Sequence, residues 1–142
     1  MINWFKKKDS DKNKVTLEIA IACLLINVAK IDGEYSSIEK KLIKLCLKNY
    51  FAKDENYIQN LIQKSEEIEK NSVQILDFTK KIKELDYNKR LKVIEMLLEI
   101  IYSDQKLHDY EDNFIRRLSG LIYVEDKDVG STKVKLKQKL KI

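Results

Sequence analysis

Two stretches of this chain, Leu25–Glu39 and Leu97–Glu111, share one pattern of apolar and acidic residues. Asp32 of the first stretch aligns with Asp104 of the second at an offset of 72 residues, and each aspartate is followed by a glutamate at the same distance. Apolar positions on both sides of the acids match as well. A repeated acidic pair within a repeated apolar frame predicts two related helix-turn-helix halves, each presenting carboxylates from the same turn.

The composition favours helices along the whole chain. Of 142 residues, 44% are hydrophobic and 36% are charged, and there are three glycines and no proline. This length fits one domain with a sizeable core, and so few turn-forming residues are typical of helical proteins. The sequence therefore predicts an all-α fold. We expect a single bundle of about seven helices with two pseudo-symmetric halves, in which residues 15–50 superpose on residues 87–122.

The first and fifth helices carry the widest apolar faces. Apolar residues recur at helical spacing from about Val15 to Ile31, and again from about Asp86 to Ser103. We therefore expect these two helices to lie at the centre of the bundle.

Capping residues predict where the other helices begin and end. Gly33 suits a left-handed cap after the first helix, and Ser36 with Glu39 has the spacing of a capping box that opens the second. Asp54 and Ser72 are the expected caps of the third and fourth helices. Four residues of the second helix are predicted to face the core: Ile38, Leu42, Leu45 and Cys46.

Charge divides the chain into three predicted parts. Residues 1–13 form a flexible basic and aromatic lead-in, residues 14–130 a helical domain, and residues 131–142 a basic C-terminal tail or short helix. The first 14 residues carry a net charge of +3 and the last ten +5, which leaves −3 for the rest of a chain whose total is +5. The body therefore lacks the basic character usual in nucleic-acid-binding domains.

Several classes of protein are disfavoured by the sequence. There is no apolar run near the length of a membrane span and no signal-peptide pattern, so a cytoplasmic location is expected. Two cysteines without a CxxC spacing, and a single histidine, argue against a zinc site and favour two buried structural thiols. No nucleophile–base, phosphate-loop or dinucleotide motif is present, so we do not expect an enzyme.

The residues of the two turns resemble the TerB-like family, the small helical proteins related to the tellurite-resistance protein TerB. The resemblance is carried by residues 31–39 and 107–124, with further support from Phe78–Thr79 and Arg90, and extends over roughly residues 15 to 130. It implies an all-helical fold and a cluster of acids that holds a divalent cation, calcium being the usual proposal. It also implies a role in tellurite or other stress responses near the membrane, with no settled enzymatic activity.

The acids of the two turns are the candidate metal ligands. Calcium takes six to eight oxygen ligands, largely from carboxylates and carbonyls, so both turns would have to contribute. Helix capping is the competing interpretation for several of these acids. His108 is better explained as a turn residue than as a ligand. The candidate ligands are Asp32, Glu39, Asp104, Asp109 and Glu111.

These observations predict a non-enzymatic TerB-like binding or scaffolding module with an unidentified protein partner. Trp4 and Phe5, followed by Lys6, Lys7 and Lys8, suit peripheral contact with an anionic membrane. The competing interpretation is a disordered terminus, or packing of the two rings on the bundle. Two alternatives stay open. One is a helical protein that binds nucleic acid or an acidic partner through its basic C-terminal tail, with nucleic acid the less favoured. The other is an enzyme that has no recognisable motif.

Overall fold

The computed structural model describes residues 15–31, 35–71, 74–104 and 109–141, without the side chains of residue 104 and residues 109–112. Within these ranges the chain forms seven α-helices and no strand, which confirms the all-α prediction. The helices are α1 (Leu17–Ala29), α2 (Ser37–Phe51), α3 (Glu55–Lys70), α4 (Ile75–Ile82), α5 (Tyr87–Ile101), α6 (Asp109–Leu121) and α7 (Asp126–Leu140). A short 3₁₀ turn, Tyr102–Asp104, extends α5.

Helices α1 and α5 form the centre of the bundle, as the sequence predicts. Ten of the 13 residues of α1 are buried, and this helix packs against α2, α3, α4 and α5. Helix α5 packs against α1, α2, α6 and α7. An apolar side chain gains about 1.5–3 kcal/mol on full burial, so two helices that are apolar on most sides are most stable at the centre.

Polar caps fix several helix starts. The hydroxyl of Thr16 accepts a hydrogen bond from the Ile19 N–H at 3.2 Å, and the Asp54 carboxylate accepts one from the Tyr57 N–H at 2.9 Å. Ser36 and Glu39 form the predicted capping box at the start of α2. Each cap satisfies backbone donors that the first turn of a helix leaves without a partner.

Two predicted caps were wrong. Helix α1 ends at Ala29 with Lys30 as its C-cap in a right-handed conformation, so Gly33 does not cap it. Helix α4 begins after Gln74 rather than after Ser72, and the Asp77 carboxylate accepts a hydrogen bond from the Gln74 N–H at 3.2 Å. Gly33 and Ser72 themselves lie outside the described residues.

The buried face of α2 also differs from the prediction. Ile43, Cys46 and Leu47 are buried against α1, α3 and α5, whereas Ile38 and Leu45 are 69% and 55% exposed. Helix α2 has more apolar positions than one packed face can cover, and its neighbours contact the side roughly a third of a turn away from Ile38 and Leu45.

The basic C-terminal residues continue a folded helix. Helix α7 runs to Leu140, and Val129 and Leu136 are buried where it packs against α5. Residues 131–140 are therefore part of the packed bundle and not a separate tail. The superposition of the two halves stays a prediction, since the centres of both turns lie outside the described residues.

Candidate functional site

Of the five predicted metal ligands, the structure describes the side chain of Glu39 alone. Asp32 lies outside the described residues. Asp104 ends the 3₁₀ turn after α5, and Asp109 and Glu111 lie in the first turn of α6, but the side chains of all three are outside the description. The convergence of the acids therefore stays a prediction. Among the side chains that are described, no cluster of three or more metal-ligating residues occurs.

Glu39 is the one predicted ligand whose side chain is described, and it caps α2. Its Oε1 accepts hydrogen bonds from the Ser36 N–H and the Ser36 hydroxyl, both at 3.0 Å. The Ser36 hydroxyl oxygen in turn accepts from the Glu39 N–H at 3.1 Å. One carboxylate oxygen is thus committed to the cap, and Glu39 has the structural role that was the competing interpretation.

Tyr35, three residues after Asp32, sits in a charged network that sequence reasoning did not find. Lys30 forms a 2.6 Å ion pair with Glu69 of α3, and the Lys40 ammonium lies 4.7 Å from the centre of the Tyr35 ring. Burial raises the pKa of the Tyr35 hydroxyl, and the nearby carboxylates of Glu66, Glu69 and Glu39 raise it further. This network fixes the end of α1 against α3, and only the tertiary fold brings its members together.

A groove of about 920 Å³ lies between α2 and α5, and residues at the start of α1 and Lys139 near the end of α7 also line it. Its apolar lining is Leu17, Leu45, Tyr50, Phe51, Leu85 and Met96. Its charged lining is Glu18, Lys89, Lys92, Glu95, Glu99 and Lys139. We refer to this feature as the α2–α5 groove.

Cys46 lies at the floor of the α2–α5 groove as an unreactive thiol. Its side chain is buried, and its Sγ donates a hydrogen bond to Glu99 Oε2 at 3.4 Å. Burial, reinforced by the Glu99 carboxylate, raises the pKa of the Cys46 thiol to about 12. A thiol must ionise to act as a nucleophile or a metal ligand, so Cys46 contributes a small apolar surface to the groove.

The carboxylates of the groove have partners, whereas two of its lysines do not pair. Glu95 forms an ion pair with Lys92 at 3.3 Å, and Glu18 accepts a hydrogen bond from the Tyr57 hydroxyl. Lys89 and Lys139 form no ion pair with any residue in the described part of the chain. The groove therefore combines an apolar floor with a charged lining of three lysines and three glutamates, in which Lys89 and Lys139 stay outside the ion pairs of the described residues.

Sequence reasoning missed this groove, although α2 carried a signal for it. The helix has two apolar stripes, one through Ile43, Cys46 and Leu47 and another through Ile38 and Leu45. Because a helix at the edge of a bundle packs one face inward, a second apolar stripe indicates a surface left for another molecule. The lysines from α5 and α7 could not be placed beside it without the fold.

Three residues that further support the family resemblance stabilise the bundle. Phe78 and Thr79 of α4 are buried. The Arg90 guanidinium of α5 donates hydrogen bonds to the carbonyl oxygens of Ile122 and Tyr123 at 3.0 and 3.1 Å, and so holds the end of α6. Tyr123 has a positive φ of 59°, a conformation rare for a residue with a side chain, and these bonds help to maintain it.

A family model described as "Tellurite resistance protein TerB" matches residues 18–134. This chain belongs to the TerB family. The match spans both acidic turns and the parts of α2 and α5 that line the groove, and it ends within α7 before Lys139. No curated protein and no solved structure gave a match.

The membrane prediction rests on residues outside the described part of this TerB-family chain, namely Trp4, Phe5, Lys6, Lys7 and Lys8. It stays a prediction. None of the helices in the described ranges has both the length and the apolar character needed to cross a membrane.

Proposed function

We propose that this TerB-family chain is a non-catalytic binding module that docks a protein partner in the α2–α5 groove. The observation that supports this best is the groove itself: an apolar lining at the surface of the bundle, continuous with the exposed side chain of Leu45. Contiguous apolar surface of this kind is typical of interaction sites.

The chemistry of the groove supports binding over catalysis. Its one thiol belongs to Cys46, whose raised pKa keeps the sulfur protonated at neutral pH. The adjacent Glu99 carboxylate accepts the thiol proton as a hydrogen bond and opposes formation of a second negative charge beside it. Catalytic cysteines have the opposite environment, with cations that stabilise the thiolate.

Site-specific photo-crosslinking in living cells tests this proposal. Leu45→p-benzoylphenylalanine places the crosslinker at the edge of the groove, and Leu76→p-benzoylphenylalanine places it at a similarly exposed leucine on α4, away from the groove. We expect one discrete adduct from position 45 and none from position 76. The adduct should be lost when Lys89→Glu is added to the position-45 variant. Equal labelling at both positions would contradict docking in the groove.

The family description supports tellurite or another stress as the setting for docking. The crosslinking experiment also tests this, because cells can be grown with and without tellurite or an oxidant. A stress role predicts that the yield of the position-45 adduct changes with treatment. A constant yield would remove the stress setting from the proposal and leave the docking function in place.

A second proposed activity is binding of a divalent cation, with calcium favoured, at the duplicated acidic turns. It is supported by the repeat of Asp32 at Asp104 and by the family resemblance. A cation bound only by the folded chain raises its melting temperature by mass action. We therefore expect millimolar calcium to stabilise the native chain, and to stabilise the variant with Asp32→Asn and Asp104→Asn much less.

Glu39 is unsuitable as a probe of this cation site. It caps α2, and loss of a cap costs about 1 kcal/mol with or without a metal. Asparagine is compatible with turns, so the double asparagine variant is the better choice. If neither calcium nor magnesium changes the melting temperature of the native chain, the cation proposal fails, and only docking of a partner at these acids is left.

A further inference from the structure

The apolar surface of the α2–α5 groove extends beyond the groove along α2. Ile38, Leu42 and Leu45 are spaced by four and three residues, which places them on one face of the helix. Ile38 and Leu45 are exposed, and Leu42 is partly buried. From Ile38 to the groove-lining Phe51, the helix rises by about 20 Å at 1.5 Å per residue. This surface has the length of a short helix and exceeds the size of most small metabolites.

Lysines lie on both sides of this apolar surface. On α2, Lys41 and Lys48 are exposed and follow Ile38 and Leu45 by three residues each, so they flank the stripe on its outer side. Lys89 of α5 and Lys139 of α7 lie on the groove side. None of these four lysines forms an ion pair within the described residues.

The glutamates that line the groove offset only part of this charge. The three glutamates of the lining are matched in number by its three lysines. Lys41 and Lys48, on the outer side of the stripe, therefore leave the whole surface with a net charge of about +2. A partner that fits this pattern has an apolar centre and acidic edges.

We propose that the partner inserts an amphipathic helix into the α2–α5 groove, with its apolar face on the groove floor and acidic residues beside the flanking lysines. This inference rests on the proposed function and adds the chemistry of the partner. An amphipathic helix presents apolar residues at i, i+3, i+4 and i+7, which matches a groove about one helix long. A concave floor at Met96 and Cys46 suits protruding side chains better than the flat surface of a bilayer does.

Electrostatics predicts how such binding responds to salt. Exposed lysines attract an acidic helix over about 10 Å at 0.1 M ionic strength, so raising the salt concentration weakens the long-range part of the attraction. Apolar contacts in the groove are not weakened by salt. Acidic and uncharged helices should thus differ in affinity at low salt and converge at high salt.

Model peptides of about 16 residues, long enough to form helix, test the proposal against the full chain. Three peptides are compared, and each has leucines at helical spacing. The remaining positions are mostly glutamate in the first peptide, glutamine in the second and lysine in the third. Affinity is measured by fluorescence anisotropy, and the binding surface by amide chemical-shift changes in the ¹⁵N-labelled chain. We expect the glutamate peptide to bind about tenfold more tightly than the glutamine peptide and to shift amides of α2 and α5.

Two pairs of matched variants locate the contact. Leu45→Gln should lower the affinity for the glutamate peptide by about tenfold. Leu76→Gln, at a leucine that is 53% exposed on α4, should leave this affinity unchanged. Lys89→Glu with Lys139→Glu should abolish the preference for glutamate over glutamine. The control, Lys64→Glu with Lys80→Glu, makes the same charge change at exposed lysines outside the groove and should retain the preference.

The outcomes separate this inference from the proposed function. Equal binding of all three peptides in the groove would overturn the acidic partner and retain docking. No binding of any peptide in the groove, or shifts confined to other helices, would overturn both. Vesicles of phosphatidylglycerol and of phosphatidylcholine serve as a further probe. If Leu45→Gln abolishes binding to the anionic vesicles and leaves peptide binding unchanged, the surface is a membrane contact and the inference is wrong.

Discussion

At the scale of single residues, the two cysteines show what the fold adds to a correct sequence prediction. Both lie on apolar helix faces, and both are buried thiols as predicted. Cys23 donates a hydrogen bond to the Ser65 carbonyl oxygen at 3.4 Å, and Cys46 donates one to the Glu99 carboxylate. Burial is the main cause that raises the pKa of each thiol from 9.0 to about 12. The carboxylate beside Cys46 comes from a residue 53 positions along the chain.

The raised thiol pKa values predict a loss of stability in alkali. In the unfolded chain the thiols ionise near pH 9, while in the native chain they stay protonated to about pH 12. The unfolded state therefore binds fewer protons above pH 9, and the free energy of unfolding falls as the pH rises. Their contribution is complete below pH 9 and is lost between pH 9 and 12. Urea unfolding across this range measures it.

The variant with Cys23→Ala and Cys46→Ala isolates the effect of the thiols. It should be less stable at pH 8 because two buried sulfurs are removed, but its free energy of unfolding should fall less steeply above pH 9. Ile43→Val is the control, since it lowers stability without removing a titrating group and should keep the native slope. If the double variant and the native chain have the same slope, the thiols are not responsible for alkaline unfolding.

At the scale of elements, the last helix was harder to predict than the two central ones. Helices α1 and α5 are recognisable because each carries many apolar residues at helical spacing, of which ten in α1 and seven in α5 are buried. Helix α7 is harder to recognise from the sequence, because lysines alternate with apolar residues near its end, a period of two that is more typical of a strand. The structure shows Leu136 buried and Val134, two residues earlier, 55% exposed. That difference identifies the packed face of α7.

Leu136→Ala therefore tests whether α7 belongs to the cooperative fold. Replacing a buried leucine with alanine costs about 2–5 kcal/mol, and Leu136 is only 5% exposed. We expect a loss at the lower end of that range, measured by urea denaturation, because α7 lies at the edge of the bundle.

Val134→Ala is the matched control on the exposed side of the same helix, and it should change stability by less than about 0.5 kcal/mol. Similar small effects from both variants would mean that residues 131–140 are not packed in solution.

At the scale of the whole molecule, the sequence alone determined the fold class, the seven helices of the described residues, the two central helices and the family. These properties follow from apolar periodicity, from the lack of proline and from motifs that are local in the chain. Capping by Ser36 and Asp54 was predictable for the same reason, since a cap and its recipient are three residues apart.

Only the tertiary structure decided which apolar stripe of α2 is buried and which is left at the surface. Either stripe is compatible with a helix, and the choice depends on the neighbours α1, α3 and α5. The groove depends on the same information, because Leu45, Lys89 and Lys139 lie on three different helices and meet through packing. A site built from residues distant in sequence leaves no local pattern, whereas the energetics of forming a helix are largely local.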